Sequence, residues 1–378
     1  MPYFDPRPKV RIEDLYDRES ELNELLEAMK RGDPLILILG LRRTGKTSLL
    51  YVSLNTIGYP HIIIDCRSFE DKTYISYSDF VHILEESVNK CVSRFTSLLK
   101  FLKSIRGVSI RGLRVEFSWS SKDRLSLVEL FEALNEYAIK HGTRFILAFD
   151  EAQELIRLRG VRLLPTLSYA YDRLKGLTII LTGSQVGLLY KFLKVDDPAS
   201  PLYGRIRTEI RLGNLSKEKS IGFLIEGFKQ HGIILSRDVV ERVISKLDGN
   251  IGWLTYYGAL AVRKGLSEEV LEYVLKEGSK LALREFINFL RLRMLAAKRY
   301  ITIMYCIAQE PKSWSQVKAY LESREGKRIS DSILTALLRN LMDAGFILKC
   351  GDKYEVSDPL LKYGILREGK KLISKLGI

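Results

Sequence analysis

The sequence predicts an α/β protein: a parallel-sheet core, then a wholly helical stretch, then a small C-terminal domain of three helices and a hairpin. Three observations carry this prediction. Leu35–Thr47 reads L-I-L-I-L-G-L-R-R-T-G-K-T, an apolar strand broken by Gly40. Residues 144–153 read R-F-I-L-A-F-D-E-A-Q, a second apolar strand that ends in Asp150-Glu151. From Ser216 onward the apolar residues fall at helical spacing until a β-hairpin pattern near the end of the chain.

Composition sets the outer bounds. The 378 residues suggest two or three domains at the usual ~100–200 residues each. A hydrophobic share of 46% with 28% charged residues describes a globular chain able to build cores. No apolar run reaches the roughly 18 residues that would span a bilayer. The N-terminal M-P-Y-F-D-P-R-P-K lacks the apolar core of a signal peptide, so a cytosolic location is expected. Cys66, Cys91, Cys306 and Cys350 lie far apart, as do the four histidines, so neither a disulfide nor a metal beyond Mg²⁺ is expected. The formal charge of +14 favours polyanionic partners such as nucleic acid. With Asn and Gln scarce and Lys, Arg and Glu abundant, the composition also fits a thermophile protein.

Along the chain, Leu15, Leu22, Leu25, Leu26 and Met29 predict a helix within residues 12–30, closed by Gly32-Asp33-Pro34. Leu35–Leu39 is the strand that follows. Gly40, Gly45, Lys46 and Thr47 then complete G-x-x-x-x-G-K-T, the Walker A pattern. Its glycines let the backbone N–H groups of Leu41, Arg42, Arg43 and Thr44 converge on phosphate oxygens. Lys46 would reach the β- and γ-phosphates, and the Thr47 hydroxyl would ligate Mg²⁺. Ser48 opens a helix whose positive end adds to that site.

His61–Asp65, H-I-I-I-D, predicts a parallel strand covered on both faces. Residues 78–103 predict one long amphipathic helix through Phe80, Leu84, Val88, Cys91, Phe95, Leu98 and Leu102. Around Gly112, Val108, Ile110, Leu113, Val115, Phe117 and Trp119 alternate with polar residues, as in a small inserted hairpin. A helix from about Ser126 to His141 is closed by Gly142. Asp150-Glu151 then forms a Walker B pattern, Asp150 as the Mg²⁺ residue and Glu151 as the group that polarises the attacking water. Leu177–Leu181 is another buried strand, and Thr182 or Ser184 at its tip could bond a γ-phosphate or the attacking water. The Pro/Gly loop at 195–205 displays Arg205, which could stabilise charge on transferred phosphate, in cis or across a subunit interface.

Helices are predicted from Ser216, from Ser236 and after Gly249-Asn250-Ile251-Gly252, with a longer one over 267–293. Three helices (about 299–309, 313 onward, and 330–344) and a hairpin at 346–356 then read as a winged helix. Its third helix could enter a major groove while Lys349 and Lys353 touch phosphates, with Arg324, Lys327, Arg328 and Arg339 adding charge. Winged helices also serve as protein-interaction modules, and both uses stay open here. The expected domains are 1–213, 214–294 and 295–378.

Arg18-Glu19, Walker A, F-D-E-A-Q, the strand ending T-G-S and P-L-Y-G-R at 201–205 together resemble the archaeal ATPase family of the AAA+/STAND P-loop NTPases. That family is related to archaeal origin-recognition-type ATPases. The resemblance implies a P-loop core, a helical lid and a C-terminal winged helix. It further implies ATP or ADP as ligand, Arg18-Glu19 near the adenine and Gly40 to Ser48 on the phosphates. Asp150 and Glu151 would serve Mg²⁺ and water, Ser184 or Thr182 the sensor position, and Arg205 the γ-phosphate. The lid departs from the family pattern: it reads G-N-I-G-W-L, without the Gly-x-Pro or the arginine that would contact nucleotide. These features lead to the expectation of slow Mg²⁺-dependent ATP hydrolysis that switches the winged helix. The alternatives are a STAND-like signalling protein that self-associates through Arg205 and a nucleotide-dependent DNA-binding protein.

Overall fold

The computed structural model describes residues 2–118 and 123–375. Its contacts divide the chain into two compact units. Pro8–Gly40 and Lys46–Leu212 form one, and the other joins the residues up to Arg7, Leu41–Gly45 and the chain from Gly213 on.

The first unit contains, in order, α1 (Glu19–Arg31), β1 (Leu35–Gly40), α2 (Lys46–Ile57), β2 (His61–Asp65), α3 (Tyr77–Val92) and α4 (Leu99–Leu102). The hairpin of β3 (Val108–Arg111) and β4 (Arg114–Phe117) follows, then α5 (Leu127–Lys140), β5 (Phe145–Asp150), α6 (Leu163–Arg173), β6 (Leu177–Gly183), α7 (Val186–Leu193) and β7 (Thr208–Leu212). Five strands make one parallel sheet in the order β2-β5-β6-β1-β7. Alternate residues of β1 serve two cores: Leu35, Leu37 and Leu39 face the cluster holding α3 and α5, and Ile36 and Ile38 face that of α1 and α2. Burial on both faces is why these strands read as unbroken apolar runs rather than alternating ones. The order places β6 between the Walker A strand β1 and the Walker B strand β5.

Several expectations are adjusted. The first helix begins at Glu19, after a 3-10 turn at Ile12–Asp14 and a positive φ of 52° at Asp17. The predicted helix over 78–103 is broken. It ends at Val92, and the chain bends at Phe95 (φ −125°, ψ 67°) so that Leu98, Leu99 and Leu102 re-enter the same core. The stripe of apolar residues marks what is buried, and one straight helix is not the only way to bury it. Strand β7 was not anticipated, because T-E-I-R-L covers one edge of the sheet and carries only two apolar residues. Trp119 lies outside the described residues.

The second unit is mostly helical. Its elements are α8 (Lys217–Lys229), α9 (Arg237–Leu247), α10 (Ile251–Lys264), α11 (Glu268–Arg291), α12 (Ala297–Gln309), β8 (Lys312–Ser313), α13 (Trp314–Glu325), α14 (Asp331–Asp343), β9 (Ile347–Cys350), β10 (Lys353–Val356) and α15 (Pro359–Lys375). Phe4 is buried against the α8 rings of Phe223 and Phe228, centroids 5.6 and 4.8 Å away. A Cβ on Gly227 or Gly258 would strike the Phe4 ring at 2.3 or 2.4 Å, so both helices need glycine there. The winged helix consists of α12, α13 and α14 with an antiparallel sheet in the order β8-β10-β9. Ser313 and Gln316 form a capping box that starts α13. Helix α15, also not anticipated, packs Leu360 against Gly278 of α11 and Gly364 against Leu283. That packing joins the winged helix to the connecting helix in one unit. No helix among the described residues is long and apolar enough to cross a membrane.

Candidate functional site at the strand tips and the glycine-rich loop

Because β6 lies between β1 and β5, its tip can reach both Walker motifs. Asp150 is fully buried; one carboxylate oxygen accepts from the Thr47 hydroxyl at 2.9 Å and the other from the Thr182 hydroxyl at 2.5 Å. Thr182 Oγ1 also accepts from the Glu151 backbone N–H at 2.9 Å. Burial pushes the Asp150 carboxyl pKa up and the neighbouring Glu151 charge adds to this, while the two hydroxyls pull it back. Thus a buried anion is held by neutral donors, with a hydroxyl from the glycine-rich loop's helix as one of them.

Glu151 has a left-handed backbone, φ 54° and ψ 48°, which is uncommon for a residue with a Cβ. Its Oε2 accepts from Ser184 Oγ (2.5 Å), the Ser184 N–H (3.2 Å) and Gln153 Nε2 (2.7 Å). Lys46 Nζ lies 3.9 Å from Oε1, and its side chain is nearly buried. The structure therefore engages both hydroxyls left open by the sequence, Thr182 on Asp150 and Ser184 on Glu151. F-D-E-A-Q by itself assigns Gln153 no role; its place two residues beyond Glu151 is the one sequence signal for the bond that fixes Glu151.

The loop itself belongs to the helical unit. Gly45 sits at φ 97° and Arg43 at φ 65°, and Thr44 Oγ1 donates to the Leu41 carbonyl at 2.9 Å. Arg42 and Arg43 both donate to Glu285 of α11, at 2.8 and 3.1 Å. Arg43 also stacks over Trp253, 4.1 Å from the ring centroid. The G-N-I-G-W-L segment meets the loop: Asn250 Nδ2 donates to the Arg42 carbonyl at 3.3 Å and the Gly252 N–H to the Arg43 carbonyl at 3.0 Å. A Cβ on Gly252 would lie 2.4 Å from that of Arg43, so the backbones approach more closely than any side chain allows. Trp253 in turn donates its indole N–H to Asp358, which caps the start of α15. Glu285 and Asp358 carry no local motif, and the sequence offered no sign of them.

Other candidates are placed differently. Arg18 is buried and donates to Glu21 at 3.1 Å at the start of α1, with Glu19 beside it on the surface. Ser48 Oγ accepts from the Lys9 N–H at 3.0 Å. Arg205 pairs with Asp172 through two nitrogens at 3.1 and 2.6 Å and bonds the Pro201 carbonyl. None of these bonds joins it to Thr47, Asp150 or Glu151. Lys349, Lys353, Arg328 and Arg339 are all exposed on the winged helix.

A parallel sheet whose first strand feeds a G-x-x-x-x-G-K-T loop, with a buried acidic strand tip bonded to that loop's threonine, defines a P-loop NTPase core. The comparisons with known proteins carry this from class to family. Residues 15–256 match the family described as an ATPase domain predominantly from Archaea, and the chain belongs to it. Residues 295–357 match the C-terminal winged helix-turn-helix domain of MCM proteins. Among solved structures, the Walker-type ATPase Paby2304 of Pyrococcus abyssi is 36% identical, with a TM-score of 0.81 over 97% of this chain and 99% of that one. The ORC2 protein of Aeropyrum pernix, in its ADPNP–ADP complexes, is 14% identical, with a TM-score of 0.60 over 100% and 98%. Its ADP form is 13% identical at a TM-score of 0.52, over the same shares of the two chains. Both likenesses to ORC2 bear on fold. No curated protein matches the chain.

Proposed function

We propose that this protein binds ATP and hydrolyses it slowly to ADP and phosphate with Mg²⁺, the nucleotide state setting the disposition of the winged helix. One observation carries the reading: the buried Asp150 accepts from Thr47 of Walker A and from Thr182 of the intervening strand. The identity to a Walker-type ATPase supports it. Thr47 and Asp150 offer hard oxygen donors 2.9 Å apart, the donor chemistry that suits Mg²⁺. When bound there, the ion would neutralise charge on the β- and γ-phosphates. Lys46 and the loop N–H groups of Leu41 to Gly45 would hold the phosphate oxygens, while Arg18 and Glu19 would line the adenine end. Glu151, fixed by Ser184 and Gln153, would orient and deprotonate the attacking water. Arg205 is assigned a role only after release from Asp172.

In this reading, 214–294 acts as the lid and 295–378 as the controlled domain. The bonds from Asn250 and Gly252 to the loop support the lid assignment. Phosphate release by Glu151→Gln should fall about a hundredfold or more while nucleotide binding persists. Lys46→Ala should weaken binding itself about tenfold to a hundredfold. Equal phosphate release by wild type and Glu151→Gln would defeat the catalytic reading.

A second reading, nucleotide-dependent DNA binding, is favoured by the exposed face of α14. Ser332, Thr335, Ala336 and Arg339 share that surface, with Lys349 and Lys353 on the wing. Duplex affinity that falls steeply with salt and weakens in Lys349→Ala/Lys353→Ala would support it; a flat salt response would remove it.

A further inference from the structure

The tips of β2 and β5 pair in register, with Asp65 opposite Asp150. Two residues beyond Asp65, Arg67 folds back over this pair. Its Nε and Nη2 donate to the two carboxylate oxygens of Asp65 at 2.8 and 2.5 Å, and its backbone N–H donates to Asp65 at 3.1 Å. The same Nη2 lies 3.8 Å from the Asp150 oxygen that accepts from Thr47. Tyr51 of α2 shares the environment: burial raises its pKa, and the Asp150 and Asp65 charges raise it further. A guanidinium thus stands beside the oxygen assigned to Mg²⁺, yet its hydrogen bonds go to a different carboxylate.

We propose that Asp65 and Arg67 set the affinity of the Mg²⁺ position, Arg67 as a competing cation and Asp65 as the anchor that keeps it off Asp150. This rests on the Mg²⁺–nucleotide reading above. Two cations near one carboxylate repel, so Arg67 opposes the incoming dication. The fork geometry of arginine against Asp65 limits that opposition, because a bidentate pair holds the guanidinium in one place. Without the Asp65 charge, the guanidinium is free to close the 3.8 Å gap to Asp150, and the site also loses a carboxylate that attracts the ion. Arg67 and Asp65 are positioning residues in this scheme; neither needs to touch the substrate.

The two substitutions therefore act with opposite sign, which a merely structural role would not produce. The experiment uses the full chain and titrates Mg²⁺ at fixed fluorescent ADP analogue, reading nucleotide binding and not turnover. Arg67→Gln should lower the half-saturating Mg²⁺ concentration about three- to tenfold, and Asp65→Asn should raise it by a similar factor. Arg67→Lys keeps the charge and should stay within about threefold of wild type. Thermal melts of each variant report folding separately. Midpoints that do not move, or that move the same way in Arg67→Gln and Asp65→Asn, overturn the inference while nucleotide binding stands. A wild type that binds no nucleotide overturns the proposed function and this inference with it.

Discussion

At the strand tips, Asp150 and Glu151 are anions bonded mainly to hydroxyls, amides and a backbone N–H; in the loop at 41–45, Arg42 and Arg43 are cations already paired with Glu285. In the first group Asp150 is buried and Glu151 half-buried. The nearest cations, Arg67 and Lys46, stand 3.8 and 3.9 Å off, beyond hydrogen-bond distance, so hydroxyls and amides solvate the two carboxylates without cancelling their charge. The second is half-buried, its side chains about a quarter exposed like that of Glu285. Being mostly covered, these pairs are screened less than exposed ones. The α/β unit thus holds an anionic corner, and within the helical unit Glu285 is the counter-ion of the arginines of the glycine-rich loop. The difference teaches that the charge of each region is set by partners within its own unit.

The largest effect expected is at the strand tips. Thr182→Val leaves both Asp150 and the Glu151 N–H short of a partner, and should cost about 1–3 kcal/mol in chemical denaturation. Full stability in that variant would dissolve the contrast between the two regions. Next comes Gly252→Ala, whose Cβ would overlap Arg43. Loss of about 1–3 kcal/mol is expected, with weaker nucleotide binding, because the loop must shift. Smaller again is Glu285→Gln, which releases two arginines for phosphate. Nucleotide affinity should rise about two- to fivefold with less than about 1 kcal/mol lost in stability. Unchanged or weaker affinity would show that Glu285 serves the loop by shaping it.

The smallest effect tests electrostatics on the α/β side away from the site. Lys72, with the Ser76 cap, draws the Asp79 pKa down to about 2 from the usual carboxylate value. A depressed carboxylate contributes stability above its unfolded pKa, near 3.9, and loses it as pH falls through the folded value. Wild type should therefore melt above Asp79→Asn at pH 7, and the two melting temperatures should converge between about pH 4 and pH 2.

Most of the core was legible because its signals are local. The apolar runs of β1, β2, β5 and β6 state their own burial, and Ser126, Ser216, Ser313 and Ser330 mark helix starts that the structure confirms through their bonds to backbone N–H groups. Strand β7 and helix α15 were not legible, since each has meaning only against a neighbour distant in sequence. The same holds at the site. Lys46, Thr47, Asp150 and Glu151 announce themselves by motif, and Thr182 and Ser184 by their place after a strand. Arg67, Glu285 and Asp358 lack any such frame.

By itself the sequence determined that a phosphate loop, an acidic strand tip and a winged helix belong to one chain, because glycine spacing and apolar period are short-range properties. Only the tertiary structure decided which partners those residues have. The placing of β6 between β1 and β5 set Thr182 on Asp150. The close approach of Gly252 to Arg43 made the G-N-I-G-W-L segment a docking point for the loop. Charges find partners through space, and residues 42 and 285 become neighbours only once the helices are packed.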